Sequence, residues 1–353
     1  MYDLIALFKH VASTEASDLF LSVGAPPTIK QDGIASPLSS EPLQKEEAEK
    51  LIFSLLSSEE KNKFLTDLEF NKAVDIDGAG RFRINIFRQR GNIAMVARFI
   101  KATISTTQDL GLPDLFNELA MHERGLVLIV GAAGSGKTTS LASMIDYRNA
   151  RLSGHILCIE DPIEIIHSHK QSIVDQREIG LDTHSFDNAL RNAMRQAPDM
   201  IVIGEIRDYD SMKHALTYAE TGHLCMATLH ANNATHAIER VLSFYPEEFR
   251  EQVLLDLSLH LKAIISQRLI PVAAGGRKPA VEMMLNTPFI SDLIKHGRIH
   301  ELREAMERDA EGCMTFDESL LDLFKSGVFT LEEVMEHAES RANLNVAIKQ
   351  IQQ

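Results

Sequence analysis

At 353 residues the chain is long enough for two domains with a sizeable core, and its 44% apolar and 24% charged content is that of an ordinary globular protein. A formal net charge of −14 argues against a general polyanion binder, so nucleic acid is disfavoured as a partner. The three cysteines, Cys158, Cys225 and Cys313, form no CxxC pair. They support neither a zinc module nor a disulfide framework, and they fit a reducing cytosol. The start, MYDLIALFKH, lacks the basic and long apolar regions of a secretory signal. No stretch approaches the roughly 18 apolar residues that span a bilayer. Membrane association is therefore expected only through a partner.

In chain order, the first hundred residues read as a small α+β unit, placed at 1–100. Leu19–Val23 is an expected strand ending at the turn Gly24-Ala-Pro-Pro27, and Pro27–Lys30 is a second, closed by a turn at Asp32-Gly33. Lys45–Leu65 carries apolar positions at helical spacing (Ala48, Leu51, Ile52, Leu55, Leu56). Gly80–Phe87 and Ile93–Ile100 alternate in period two, with Arg88–Asn92 as the loop of a hairpin. The polar stretch Ala102–Asp109 marks a linker, taken as residues 101–112. From 113 onward apolar strands alternate with amphipathic helices, the pattern of a mostly parallel sheet covered by helices. Its expected strands are Gly125–Val130, His155–Ile159, Met200–Ile203 and His223–Leu229. The unit runs to residue 353, and from about 288 it becomes short charged helices such as Ser291–Lys295 and Leu331–Ala338. The stripe Leu254, Leu257, Leu261, Ile264 reads as core packing.

The chemistry begins at Gly131-Ala-Ala-Gly-Ser-Gly-Lys-Thr138, which matches G-x-x-x-x-G-K-[ST] and stands between an apolar run and a helix-like segment. Gly131, Gly134 and Gly136 let the backbone N–H groups of the loop, Ser135 among them, converge on phosphates at the positive end of a helix that continues through Thr139. Lys137 is expected to reach the β- and γ-phosphates of ATP, and the Thr138 hydroxyl to ligate Mg²⁺. The second strand ends in Glu160-Asp-Pro-Ile-Glu164, and either Glu160 or Glu164 could orient or deprotonate the attacking water. Glu205, just past Met200–Ile203, stands where a carboxylate holds the metal, directly or through its water. On the fourth strand His223 and His230 lie seven residues apart, so they face opposite sides. His230, at the carboxyl end, is the better sensor of the γ-phosphate.

These four elements, in this order and spacing, resemble the secretion-ATPase superfamily of type IV pili and type II/IV secretion. In that resemblance Glu160–Glu164 is the Asp box, Gly204–Asp208 an atypical Walker B, and the His223/His230 segment the His box. Ala16-Ser-Asp-Leu19 and Gly24-Ala-Pro-Pro27 are similar to the amino-terminal domain of the pilus retraction branch, PilT and PilU. Arg195-Gln-Ala-Pro-Asp199, Gly222–Ala227, His230-Ala-Asn-Asn233 and Asn286–Ile294 look more like PilU. The resemblance implies an α/β fold: a RecA-like P-loop NTPase domain preceded by a small α+β, PAS-like domain. It also implies a homo-hexameric ATP hydrolase with ATP and Mg²⁺ as ligands and the nucleotide bound between the two domains. Arg83 and Arg98 of the amino-terminal domain are then expected at the phosphates, with Arg88 and Arg240 as weaker candidates. Its partners would be a PilT-type ATPase and the pilus platform protein at the inner membrane, from a cytoplasmic position. The competing readings are a nucleotide-dependent adaptor with little catalysis of its own and a related secretion or DNA-transport ATPase.

Overall fold

A computed structural model describes residues 2–31, 33–100, 102–272, 275–308 and 312–351. Asp32, half of the expected turn, and Lys101, at the head of the expected linker, lie outside the described residues. The chain divides into two compact units, Met1–Thr103 with Glu164–Ile166, and Ile104–Ile163 with His167–Gln353.

The first unit opens with α1 (Leu4–Ser13), whose N-cap Asp3 accepts from the amides of Ile5 and Ala6 and whose buried stripe is Leu4, Leu7, Phe8, Val11. Strands β1 (Asp18–Ser22), β2 (Thr28–Gln31) and β3 (Ile34–Pro37) follow, then helices α2 (Lys45–Phe53) and α3 (Ser58–Asp67), then β4 (Glu69–Ile76), β5 (Gly80–Gln89) and β6 (Asn92–Ile100). They form one antiparallel six-stranded sheet in the order β3-β2-β1-β6-β5-β4. The single helix expected over 45–65 is two. Ser57 starts α3 with a capping box to Glu60, an S-x-x-E signal that outweighs the apolar spacing running across it. The expected loop Arg88–Asn92 also tightens. Gln89 pairs with Asn92, only Arg90 and Gly91 turn, both with positive φ, and Arg88 stays in β5 opposite Ile93.

The second unit runs α4 (Leu115–Ala120), β7 (Gly125–Val130), α5 (Lys137–Asn149), β8 (Gly154–Glu160), β9 (Ser172–Glu178), α6 (Phe186–Ala193), β10 (Met200–Ile203), α7 (Tyr209–Glu220), β11 (Leu224–Leu229), α8 (Ala234–Ser243), α9 (Arg250–His260), β12 (Leu261–Pro271) and β13 (Arg277–Leu285). Helices α10 (Pro288–Lys295), α11 (Leu302–Arg308), α12 (Phe316–Lys325), α13 (Leu331–His337) and α14 (Arg341–Ile351) close it. Its seven strands form one sheet in the order β13-β12-β7-β11-β10-β8-β9, parallel except for edge strand β13. The fold is α/β, as the strand–helix alternation predicts. Every residue of β7, β10 and β11 is buried, which is why these strands read as unbroken apolar runs. Alternation then splits them between two cores: Leu126, Leu128 and Val130 pack on one face, Val127 and Ile129 on the other. A smaller core holds Phe316, Leu320, Phe329, Val334, Leu344 and Ile348 of the closing helices against Ile270 and Ala280.

Candidate active site

The loop after β7 is built by close approach. A side chain at Gly131 would lie 2.4 Å from Ser135 Oγ and 2.5 Å from the carbonyl oxygen of Gln267, so only glycine fits there. Gly136, with φ of +89°, is the left-handed N-cap of α5, and a Cβ on it would meet Gln267 Nε2 at 2.6 Å. Gln267 is buried on β12, and its Oε1 accepts from Ser140 Oγ of α5 at 2.7 Å. The loop is thus braced from the neighbouring strand. Lys137 is buried and donates from Nζ to the carbonyls of Gly131 (2.8 Å) and Ala132 (2.9 Å), which holds its charge inside the turn of the loop. Thr138 is half-buried and Thr139 exposed on the first turn of α5.

Around this loop stand the carboxyl ends of the parallel strands, where ligands bind in such sheets. Glu205, two residues past β10, is the hub of the charges there. His230 Nε2 lies 2.6 Å from Glu205 Oε1, and Arg207 donates from Nε to Glu205 Oε2 at 2.5 Å and from Nη1 to Asp161 at 3.1 Å. The hydrogen bond to Glu205 is the main reason the Arg207 guanidinium is pushed above its ordinary value, with the carboxylate of Asp161 adding to it. His230 Nδ1 approaches the Gly131 carbonyl at 3.3 Å, the same oxygen that accepts from Lys137. The backbone around Glu205 is pinned on both sides. Gly204 N–H donates to Ile159 O at 2.8 Å, and Thr228 Oγ1 donates to Gly204 O at 2.5 Å.

Comparison with known proteins decides what this arrangement belongs to. Residues 82–350 match the family of type II/IV secretion system proteins. The type IV pilus ATPase PilU of Pseudomonas aeruginosa is 47% identical over 345 residues, 97% of this chain and 90% of that protein. The chain belongs to this family. The retraction ATPase PilT of the same organism is 39% identical over 97% of this chain and 99% of that one. A crystal structure of the pilus retraction motor PilT with bound ADP superposes with a TM-score of 0.90 at 40% identity, covering 98% of this chain and 99% of that one. The chain is a secretion ATPase with a RecA-like nucleotide-binding unit, similar to the pilus ATPases PilU and PilT.

Within this secretion ATPase the expected site residues fall into groups. The loop Gly131–Thr139, Glu205 and His230 come together, joined through the Gly131 carbonyl. Glu160 ends β8, and a Cβ on Gly204 would lie 3.2 Å from its Cα. Glu164 is exposed and groups with the amino-terminal unit. In that unit Arg83 pairs directly with Arg98 across β5 and β6, and Arg98 donates from Nε to the buried carboxylate of Asp18 at 2.9 Å. Arg88 sits in β5 rather than in a loop, with its guanidinium 5.3 Å from the centre of the Phe64 ring. Arg240 lies in the last turn of α8, with its guanidinium 4.8 Å from the centre of the Phe244 ring. The two histidines do not share a strand. His223 precedes β11, beside Thr221, and His230 follows it, so the six residues between them separate the pair by roughly 20 Å.

The sequence motifs do not single out Arg207, Asp161 or Gln267. Arg207 stands two residues past Glu205, and Asp161 directly follows Glu160, so both lie within the motifs, where spacing alone gives them no role. A polar residue inside the apolar run Ile264-Ile-Ser-Gln267 was the one available signal for Gln267, since buried glutamine needs partners.

Proposed function

We propose that the chain is a subunit of a homo-hexameric motor of the type IV pilus machinery, hydrolysing ATP to drive pilus retraction and twitching motility as a PilU-like accessory to a PilT-type ATPase. The observation that carries a motor, as opposed to a passive nucleotide binder, is the Gly131 carbonyl. It accepts from the phosphate lysine and lies beside the histidine that grips Glu205. A phosphate that draws Lys137 away changes the partners of that carbonyl, and through His230 the surroundings of Glu205. Events at the γ-phosphate therefore reach the metal carboxylate through a single atom.

In this reading Lys137 and the N–H groups of Gly134, Ser135 and Gly136 bind the phosphates. Thr138 and Glu205 offer the hydroxyl and carboxylate oxygens that suit Mg²⁺, which would neutralise phosphate charge. Glu160 or Glu164 handles the water, and Arg83 and Arg98 stabilise the charge that develops on the transferred group. We also take residues 1–100 as the amino-terminal domain, 101–112 as linker and 113–353 as the ATPase domain, its helical subregion beginning near 288. The motor is placed in the cytoplasm, against the pilus platform protein of the inner membrane. Among the described residues no helix is long and apolar enough to cross a membrane. The greater identity to PilU than to PilT favours the accessory role.

The test is Lys137→Ala. Loss of ATP turnover is expected, and full turnover would remove this reading. Retraction force in cells carrying the same substitution separates motor from adaptor, because an adaptor tolerates it.

A further inference from the structure

Both acids assigned to the attacking water lie on one short segment, Glu160 at the end of β8 and Glu164 in the connection to β9, and a single side chain ties Glu160 to His167 further along it. Gln176, on β9, donates from Nε2 to Glu160 Oε1 at 2.9 Å, and its Oε1 accepts from the backbone N–H of His167 at 2.8 Å. The carboxylate only accepts and the N–H only donates, so the amide has one orientation that satisfies both. Two positions along, on the same face of the strand, buried Glu178 accepts from the N–H of Ile163 at 3.2 Å. The N–H of Ile179 donates to the carbonyl of Glu160 at 2.9 Å. Strand β9 therefore fixes the segment at its start, its middle and its end, and Gln176 serves two of those points.

The chemistry of the group matters as much as its place. A lysine or arginine here would hold Glu160 more tightly, but it would also stabilise the charged carboxylate and weaken it as a base. A neutral amide orients the carboxylate and stabilises its charged form less than a full positive charge would. We propose that Gln176 is a positioning residue for ATP hydrolysis, acting through the carboxylate of Glu160. The proposal rests on the ATPase reading above and assigns the water-handling geometry to Glu160.

The experiment is single-turnover hydrolysis of ATP with Mg²⁺ by the full chain in excess, which reads slow chemistry directly. It compares the wild type with Glu160→Gln, Gln176→Glu and the double variant. Gln176→Glu keeps an acceptor for His167 N–H but replaces the donor to Glu160 with a like charge. The single-turnover rate is expected to fall at least about tenfold with the half-saturating protein concentration changed less than about twofold, and the acid limb of the pH–rate profile should move to higher pH. The double variant rebuilds the bond in reverse: the amide introduced on β8 donates, and the carboxylate introduced on β9 accepts. It should recover the wild-type thermal midpoint without recovering turnover, because the bond is restored but the Glu160 carboxylate is not; the shift of the acid limb is the readout that a merely structural bond would not move. Three results overturn the proposal: Gln176→Glu turning over within about twofold of wild type, a double variant that regains turnover, or Glu160→Gln with undiminished turnover. Undiminished hydrolysis by Lys137→Ala would instead remove the ATPase reading and the proposal with it.

Discussion

Lowering the pH should unlock one buried group whose cost can be worked out from its surroundings. His167 is 7% exposed, and its Nδ1 is buried with no hydrogen-bond partner. Burial pushes the imidazole down from 6.5 to about 4, with the charge of Asp146 opposing and that of Lys170 adding to the drop. In the unfolded chain the same ring protonates near its ordinary value. Between those two values the unfolded state binds the extra proton and the folded state does not, so stability falls as pH falls through that window. Above the ordinary value the group contributes no slope. The whole window is worth about 3 kcal/mol, and at about pH 5 roughly 2 kcal/mol of it is already lost. The assay is urea unfolding of the wild type and His167→Phe at about pH 7 and about pH 5, which keeps a ring in the cavity and removes its titration. Other histidines and the carboxylates contribute to both proteins and cancel in the difference. The wild type should lose about 2 kcal/mol more than the variant on acidification. Equal losses would refute the assignment of a neutral, buried His167.

Three further outcomes follow from particular contacts. Gly131→Ala should destabilise far more than Gly134→Ala, because the first forces a Cβ to 2.5 Å from a backbone oxygen while the second meets nothing within 4 Å. For Gly134 only the left-handed strain of about 1 kcal/mol remains, so thermal midpoints in the opposite order would contradict the packing. Glu282 is buried, its carboxyl is pushed up chiefly by that burial, and its Oε1 accepts from Ala234 N–H at 2.7 Å and Ser266 Oγ at 3.0 Å. Glu282→Gln keeps an acceptor oxygen and should be milder than Glu282→Ala, which strands a buried N–H at a cost of about 1–3 kcal/mol; equal losses in denaturant unfolding would refute this. Cys158 and Cys225 are fully buried with thiols pushed up by burial, whereas Cys313 is half-buried. At mildly alkaline pH a thiol reagent should modify Cys313 first and reach the other two only on unfolding, and rapid reaction of all three would count against the fold.

What could be read from the sequence was whatever the backbone forces on composition. The P-loop is legible because close approach at Gly131 and a left-handed cap at Gly136 leave no substitute for glycine. Strands β7, β10 and β11 are legible because burial on both faces demands unbroken apolar runs. Strands β3, β4, β9 and β13 escape because they are the edges of the two sheets, where exposed Asp175 and half-exposed Arg177, for example, blur the pattern, and β12 escapes because its first residues continue the helical apolar spacing of α9. Arg207 and Gln176 are illegible for another reason. Each works by joining two groups, Glu205 and Asp161 for Arg207, Glu160 and His167 for Gln176, and a lone arginine or glutamine carries no motif.

The stripe Leu254, Leu257, Leu261, Ile264 shows how far such a reading can be right and still mislead about the elements. Its spacing is helical, and Leu257, Leu261 and Ile264 do share one core, with Leu254 packed against it. Yet α9 ends at His260, so Leu261 and Ile264 lie on β12. Residues three apart on a regular strand face opposite sides. They share a side here because the register slips between Leu261 and Ala263: Leu261 pairs with Leu126, Ala263 with Val127, and Lys262 is the extra residue. That slip has a consequence at the phosphate loop. It sets Ser266 opposite Val130, and so delivers Gln267 to the place where its carbonyl meets Gly131 and its amide meets Gly136 and Ser140. Without the bulge the rest of β12 would present its other face, and the brace of the P-loop would be lost. The residue that secures the nucleotide loop is thus chosen by an irregularity five residues earlier, a dependence that arises only once β12 has paired with β7.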